Sequence, residues 1–501
     1  MQKQFDDLKI RLMDIFDLQH AGALLGWDEA TYMPPGGADA RGRQSALLAR
    51  IAQEKSIDPA IGKLLDELRP YEESLPYDSD DASLIRVARR DYERALKLPP
   101  QFVAEFYQHL SKTYNTWVTA RPENNFKALE PLLEQTLDLS RRMADFYPGY
   151  EHIADPLIDN ADYGMKVRSI KATFAQLRNA LVPIVQKITE MNPLDDACLR
   201  KHFPEVAQLA FSEEVVKILG YDFNRGRQDK TYHPFTTKFS LGDVRITTRV
   251  KENFLGECLY STIHEAGHAM YEQGIDMKYE GTPLANGTSA GVHESQSRLW
   301  ENIIGRSYEF WEYFYPKLYD VFPDQLKGVD LDTLYKAVNK VEKSLIRTDA
   351  DEVTYNLHVM MRFDFELALL DGKLEVKDLP DAWRARFYED FGVIVPDDRD
   401  GVLQDAHWYG GIIGGAFQGY TLGNIFSGQF YSAALKANPE IPNEIRYGKF
   451  DRLLGWLQSN IYKPGSKFTA SELVERVTGE ALTIEPYIHY LSDKFGKLYG
   501  L

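Results

Sequence analysis

His264-Glu265-Ala266-Gly267-His268 sets two imidazoles four residues apart, with a carboxylate beside them. Four residues is about one helical turn, so on a helix both rings leave the same face and reach one ion. This HExxH pattern suits metal-assisted hydrolysis, with Glu265 placed to take a proton from a metal-activated water. So short a motif also arises by chance, and the site needs a third ligand. His293-Glu294-Ser295-Gln296 supplies one. The chain between has room for a helix to end at Gly274, a natural C-cap position, and for a loop carrying Gly281, Gly287 and Gly291 to turn back. Ser289 is then placed to cap a second helix. His264, His268 and Glu294 make a His₂Glu set with an open fourth position, the arrangement of a catalytic zinc. Co²⁺ and Mn²⁺ suit the same ligands, so the reading is one divalent ion, zinc first. His293 leaves the helix on a different face from Glu294, which suits a supporting or substrate-side role.

Helices must position these groups. Apolar residues recur at helix-face spacing over 4–20, 39–54, 83–96, 99–118, 127–147, 168–190 and 204–219. The pattern continues over 252–274, 290–304, 331–345, 351–370, 378–390, 415–436, 443–459 and 470–499. Residues 234–250 instead alternate β-branched and polar side chains around Leu241-Gly242-Asp243, the signature of a hairpin. Strand 244–250 is expected at the sheet edge, free to pair with a peptide backbone. There is no repeat, linker or dinucleotide loop. One catalytic body over residues 1–501 is therefore expected, mainly α with a small sheet.

A formal charge of −17 makes nucleic acid an unsuitable partner. The two cysteines, Cys198 and Cys258, form no CxxC pair and fit small buried side chains in a reducing compartment. The first residues show no secretory apolar core, and no run of 18 apolar residues occurs. A cytoplasmic, membrane-free protein is expected.

Further motifs follow in a fixed order along the chain. They are His233-Pro234-Phe235, Asp243-Val-Arg245-Ile-Thr247, the HEAGH and HESQ segments, Ile346-Arg347 to Asp351, and Gly401 to Trp408 with Gln404, Asp405 and His407. Trp27-Asp28, Met33-Pro34 and Arg41-Gly42 precede them. In this the chain resembles the Taq-type metallocarboxypeptidase family, which trims amino acids from peptide C-termini. The resemblance implies a helical fold with a deep cleft, like that of neurolysin and angiotensin-converting enzyme, and a cytosolic homodimer acting on peptides. A carboxypeptidase must neutralise a free carboxylate, and an Arg fork does this with two parallel hydrogen bonds. Arg347 matches the family position linked to that task, and Arg245 is a second candidate. The oxyanion needs a donor, for which His407 and Tyr420 are candidates. Residues 414–420 depart from the aromatic stretch many members carry, which leaves Tyr409 as a rival to Tyr420. His233, just before the hairpin, is placed to orient substrate. The expected activity is release of single C-terminal amino acids with broad specificity. The alternatives are an oligopeptidase or dipeptidyl carboxypeptidase with the same site and, more remotely, a non-enzymatic helical scaffold.

Overall fold

The computed structural model describes residues 1–501 as a helical body around one three-stranded sheet. Local signals set the helices. Asp80–Lys97 starts at Ser79, whose hydroxyl accepts from the Ala82 N–H. Asp80 and Asp81 fill its first turn and Arg94 and Lys97 its last, complementing the helix dipole. Its apolar residues Leu84, Ile85, Val87 and Ala88 are buried. The HEAGH helix, Leu255–Gly274, is buried on every face but one, the stripe of Glu257, Ser261, His264 and His268, which is only half-buried.

Most expected helices occur within a few residues of their predicted ends, and the differences have physical causes. The first runs over Gln2–Thr31, well past residue 20. The 443–459 stretch divides into Ile441–Ile445 and Asp451–Leu457 because Gly448 takes φ +70 between them. Likewise 470–499 divides into Ala470–Thr478 and Glu485–Tyr499 at Gly479, where φ is +76. The helix expected over 331–345 stops at Val338. Pro59–Glu73 and Tyr308–Val321 are helices outside the expected set, and each tolerates an internal proline, Pro70 and Pro316. Gly274 closes its helix without a left-handed cap. A Cβ there would lie 2.5 Å from the Tyr462 ring, so the glycine serves close packing.

The hairpin forms as expected, with β2 at Thr236–Ser240 and β3 at Asp243–Thr248. A third strand, β1 at Gln228–Lys230, adds parallel to β3. The order β1-β3-β2 puts β3 in the centre, so the expectation that 244–250 is an edge is corrected. The free edge beside the cleft belongs to β2.

A cluster of 98 buried apolar residues forms the main core, and a separate one of 16 lies under the N-terminal helices. Both cysteines are free and buried. No helix is long and apolar enough to cross a membrane.

Candidate active site

Two helices meet at close range to make the site. Ala290–Arg298 begins at Ser289, whose side chain accepts from the Val292 N–H as expected of a cap. It presses so tightly on the HEAGH helix that a Cβ at Gly267 would lie 2.6 Å from Ser297 Cα. That approach brings one ligand atom each of His264, His268 and Glu294 within 4.8 Å of one another. Glu294 Oε2 lies 3.7 Å from His264 Nε2 and 3.4 Å from His268 Nε2.

The outer atoms of all three are held. His264 Nδ1 meets Glu301 Oε2 at 2.8 Å, His268 Nδ1 meets His293 Nδ1 at 2.6 Å, and Arg298 Nε donates to Glu294 Oε1 at 2.7 Å. Two imidazole nitrogens and one carboxylate oxygen converge with their far sides anchored, a donor set that fits a divalent ion. Burial opposes charge on Glu294, yet Arg298 and the two histidines hold its carboxyl far below the usual range. Burial would likewise lower His264, but Glu294 and Glu301 outweigh it and raise it.

Glu265 is buried beside this set. Thr236 Oγ1 lies 2.6 Å from Glu265 Oε2 and 2.9 Å from its carbonyl, tying the carboxylate to β2. A cleft of about 840 Å³ runs past Glu265, His264, His268 and Glu294 to Arg347, His407 and Tyr420. Arg347 is buried in its wall, donating through Nη2 to Asp405 at 2.8 Å and through Nη1 to the Tyr355 hydroxyl at 2.8 Å. Arg362 Nε donates to the same Asp405 at 2.6 Å. One carboxylate between two guanidiniums leaves this wall positive, a setting for an anionic substrate terminus. His407 Nε2 lies 2.9 Å from the Tyr420 hydroxyl. Burial, with Arg347 nearby, lowers His407 to about 4, and burial raises the Tyr420 phenol. His233 is exposed on the cleft wall, its Nδ1 turned to the Pro234 carbonyl.

Three sequence expectations are corrected. Arg245 is not a cleft residue: Asp243 holds its Nε and Nη2 at 2.8 Å each, and it stacks on Trp27 and Phe239. For His293 only the substrate-side role is corrected: neither nitrogen is free, because His268 takes Nδ1 and Glu272 takes Nε2, and these contacts match the supporting role instead. Tyr409 is fully buried and donates to the Val402 carbonyl, which removes it as a rival to Tyr420. Sequence reasoning also missed Glu301, Glu272, Thr236 and Tyr355. Glu301 lies two turns beyond Glu294, and Glu272 one turn beyond His268, so helical spacing carried a signal for both. A π-helical turn over Leu299–Ile304 carries Glu301. Nothing local marked Thr236 or Tyr355.

The family described as Carboxypeptidase Taq (M32) metallopeptidase matches residues 7–495. The chain belongs to this family. It is therefore a metallocarboxypeptidase, a peptide hydrolase that works with a divalent metal. The chain is 40% identical to thermostable carboxypeptidase 1 of Thermus thermophilus over 96% of both chains. It is 34% identical to carboxypeptidase 1 of Bacillus subtilis, over 100% of this chain and 99% of that one. Its fold matches the crystal structure of the M32 carboxypeptidase of Deinococcus radiodurans with a TM-score of 0.96 and 48% identity, covering all of both chains.

Proposed function

We propose that this metallocarboxypeptidase releases single amino acids from peptide C-termini with broad specificity, as one catalytic domain over residues 1–501, in the cytoplasm and as a homodimer. The observation that carries the reading is the pairing of two features in one cleft: the converging His264, His268 and Glu294 atoms beside Glu265, and the buried, positively charged wall around Arg347. In this reading the three ligands hold one divalent ion, zinc first. The ion supplies Lewis-acid polarisation of the scissile carbonyl and acidifies water. Glu265 takes the proton of the attacking water and passes it to the leaving amine. Arg347 binds the terminal carboxylate and sets the scissile bond one residue in from it. Tyr420 donates its hydroxyl to the oxyanion. His407, neutral at pH 7, positions the Tyr420 hydroxyl through its Nε2. The free edge of β2 pairs with the peptide backbone, with His233 at its entrance, which gives affinity with little side-chain preference.

Matched peptides ending in a free acid or an amide test the reading by mass spectrometry of the products. A ladder of single-residue losses from the free acid alone is expected. Equal cleavage of the amide, or internal cuts, would make the protein an oligopeptidase with the same metal site. Glu265→Gln should lower turnover by about 10²–10⁴-fold while leaving metal content unchanged; an active variant removes Glu265 from its role.

A further inference from the structure

Behind His268 a line of hydrogen bonds leads away from the ligand cluster to the sheet. His268 Nδ1 lies 2.6 Å from His293 Nδ1, and His293 Nε2 lies 2.8 Å from Glu272 Oε1. Lys238 Nζ, on β2, donates to Glu272 Oε2 at 2.7 Å. It also donates to the Ala285 carbonyl and, at 2.9 Å, to Asn286 Oδ1, so all three ammonium protons are engaged. The Lys238 and Glu272 side chains are 8% and 9% exposed, a sheltered ion pair.

The proton order along this line follows from what each group can do. Lysine only donates, and a carboxylate held ionised beside it only accepts. His293 must therefore present an N–H from Nε2 to Glu272, and in its neutral form its Nδ1 is then an acceptor. His268 Nδ1, facing it, must be the donor. That leaves His268 Nε2, the atom turned toward Glu294, with its lone pair free. His264 needs no such device, because its Nδ1 meets the acceptor Glu301 directly. A second imidazole between ligand and carboxylate makes the line reversible, and the ammonium removes that freedom.

We infer that Lys238 and Glu272 are positioning residues for the metal site, fixing the direction of the line through His293 and so holding His268 in the one tautomer that ligates through Nε2. The inference rests on the reading of His264, His268 and Glu294 as the ligands. It also gives β2 a second task. Thr236 and Lys238, two residues apart and on one face of the strand, tie down Glu265 and the His268 line respectively.

The test is the Zn²⁺ affinity of the metal-stripped full chain, measured by competition with a chromogenic chelator. In Glu272→Gln, Lys238 claims the amide oxygen and the amide N–H₂ donates to His293 Nε2. This reverses the line and puts a proton on His268 Nε2. That isosteric change should weaken Zn²⁺ binding about 10–100-fold. Adding Lys238→Met frees the amide to turn its oxygen to His293, and the double variant should recover to within about threefold of the original affinity. A residue that served only by packing would leave the double variant as weak as the single one or weaker, and one that served only by charge would leave His268 of metal-free Glu272→Gln protonated on Nδ1 in its ¹⁵N shifts. Either result, or an unchanged Glu272→Gln affinity, overturns the inference. Histidine ¹⁵N shifts of the unmutated metal-free protein need no variant: His268 protonated on Nδ1 is expected, and protonation on Nε2 overturns the inference. His268→Ala separates the two readings. It should abolish tight Zn²⁺ binding, and if it does not, the ligand assignment itself is wrong.

Discussion

His407 is a neutral imidazole because burial penalises its charged form and the Arg347 guanidinium adds repulsion, lowering it to about 4 against 6.5 for a free side chain. The unfolded chain therefore binds a proton between those values that the folded chain refuses. Stability from this group is complete above about pH 6.5 and is lost as pH falls toward 4. Between pH 7 and pH 5 the loss amounts to at most about 2 kcal/mol. Chemical denaturation at those two pH values should show it, and His407→Gln should lose less stability over the same interval. An equal loss in both proteins would place the sensitivity elsewhere. The same residue shows what a sequence reveals at this scale. Type and spacing mark His264 and His268 as a pair one helical turn apart on one face, with Glu265 beside them. They do not show which acid captures which arginine. Arg245 and Arg347 both read as carboxylate binders, and only the fold shows Asp243 closing over the first while the second lines the cleft beside Asp405.

Helices carry the proposed ligands, and glycines set how closely the helices pass. The helix Gln418–Ala437 bears Tyr420 and lies against the Glu294 helix at Gly423, where a Cβ would meet Glu294 Cγ at 2.5 Å and Cβ at 2.6 Å. Gly423→Ala must push the Glu294 side chain, whereas Gly267→Ala must push backbone, with Ser297 Cα at 2.6 Å and the Gln296 carbonyl at 2.8 Å. Overpacking costs about 1–3 kcal/mol, and the two changes should direct it differently. Gly423→Ala should lower metal affinity and turnover at least about tenfold with a small change in melting temperature, since a displaced ligand is the easier strain to relieve. Gly267→Ala should lower the melting temperature by more. Zinc titration alongside calorimetry separates them; identical profiles would mean that the helix pair moves as a rigid block. Element type was legible from periodicity and element ends were less so. Gly448 and Gly479 interrupt patterns whose apolar spacing continues across them, and only a left-handed φ reveals the break. The central place of β3 was hidden because β1 is three residues long and comes from outside the hairpin pattern.

Across the whole molecule, apolar burial is unequally shared. The 16-residue cluster joins Phe5, Leu8, Leu12 and Phe16 of the first helix to Ile61, Leu65 and Leu68, and to Leu84, Ile85, Val87 and Ala88. Its remaining members, Leu241 at the hairpin turn and Ile275, Tyr279, Leu284 and Ala285 after the HEAGH helix, sit between the N-terminal helices and the ligand cluster. A unit with its own small core opens at lower free energy than the large one. Leu8 is fully buried, and Leu8→Ala should cost about 2–5 kcal/mol in that unit. If the body unfolded as one, the loss would raise exchange at every slow amide equally. With two cores, hydrogen exchange should accelerate within residues 2–97 and at Leu241 and 275–285, and stay unchanged in Tyr355–Leu370 and Gln418–Ala437, whose apolar side chains belong to the 98-residue cluster. The intermediate stretch carries the consequence for catalysis. The Ala285 carbonyl is one of the acceptors that anchor Lys238, so opening the N-terminal unit loosens the line that ends on His268. Leu8→Ala should therefore release bound Zn²⁺ faster than the original protein at a temperature where both remain folded. Faster release without faster exchange at 275–285 would break that link.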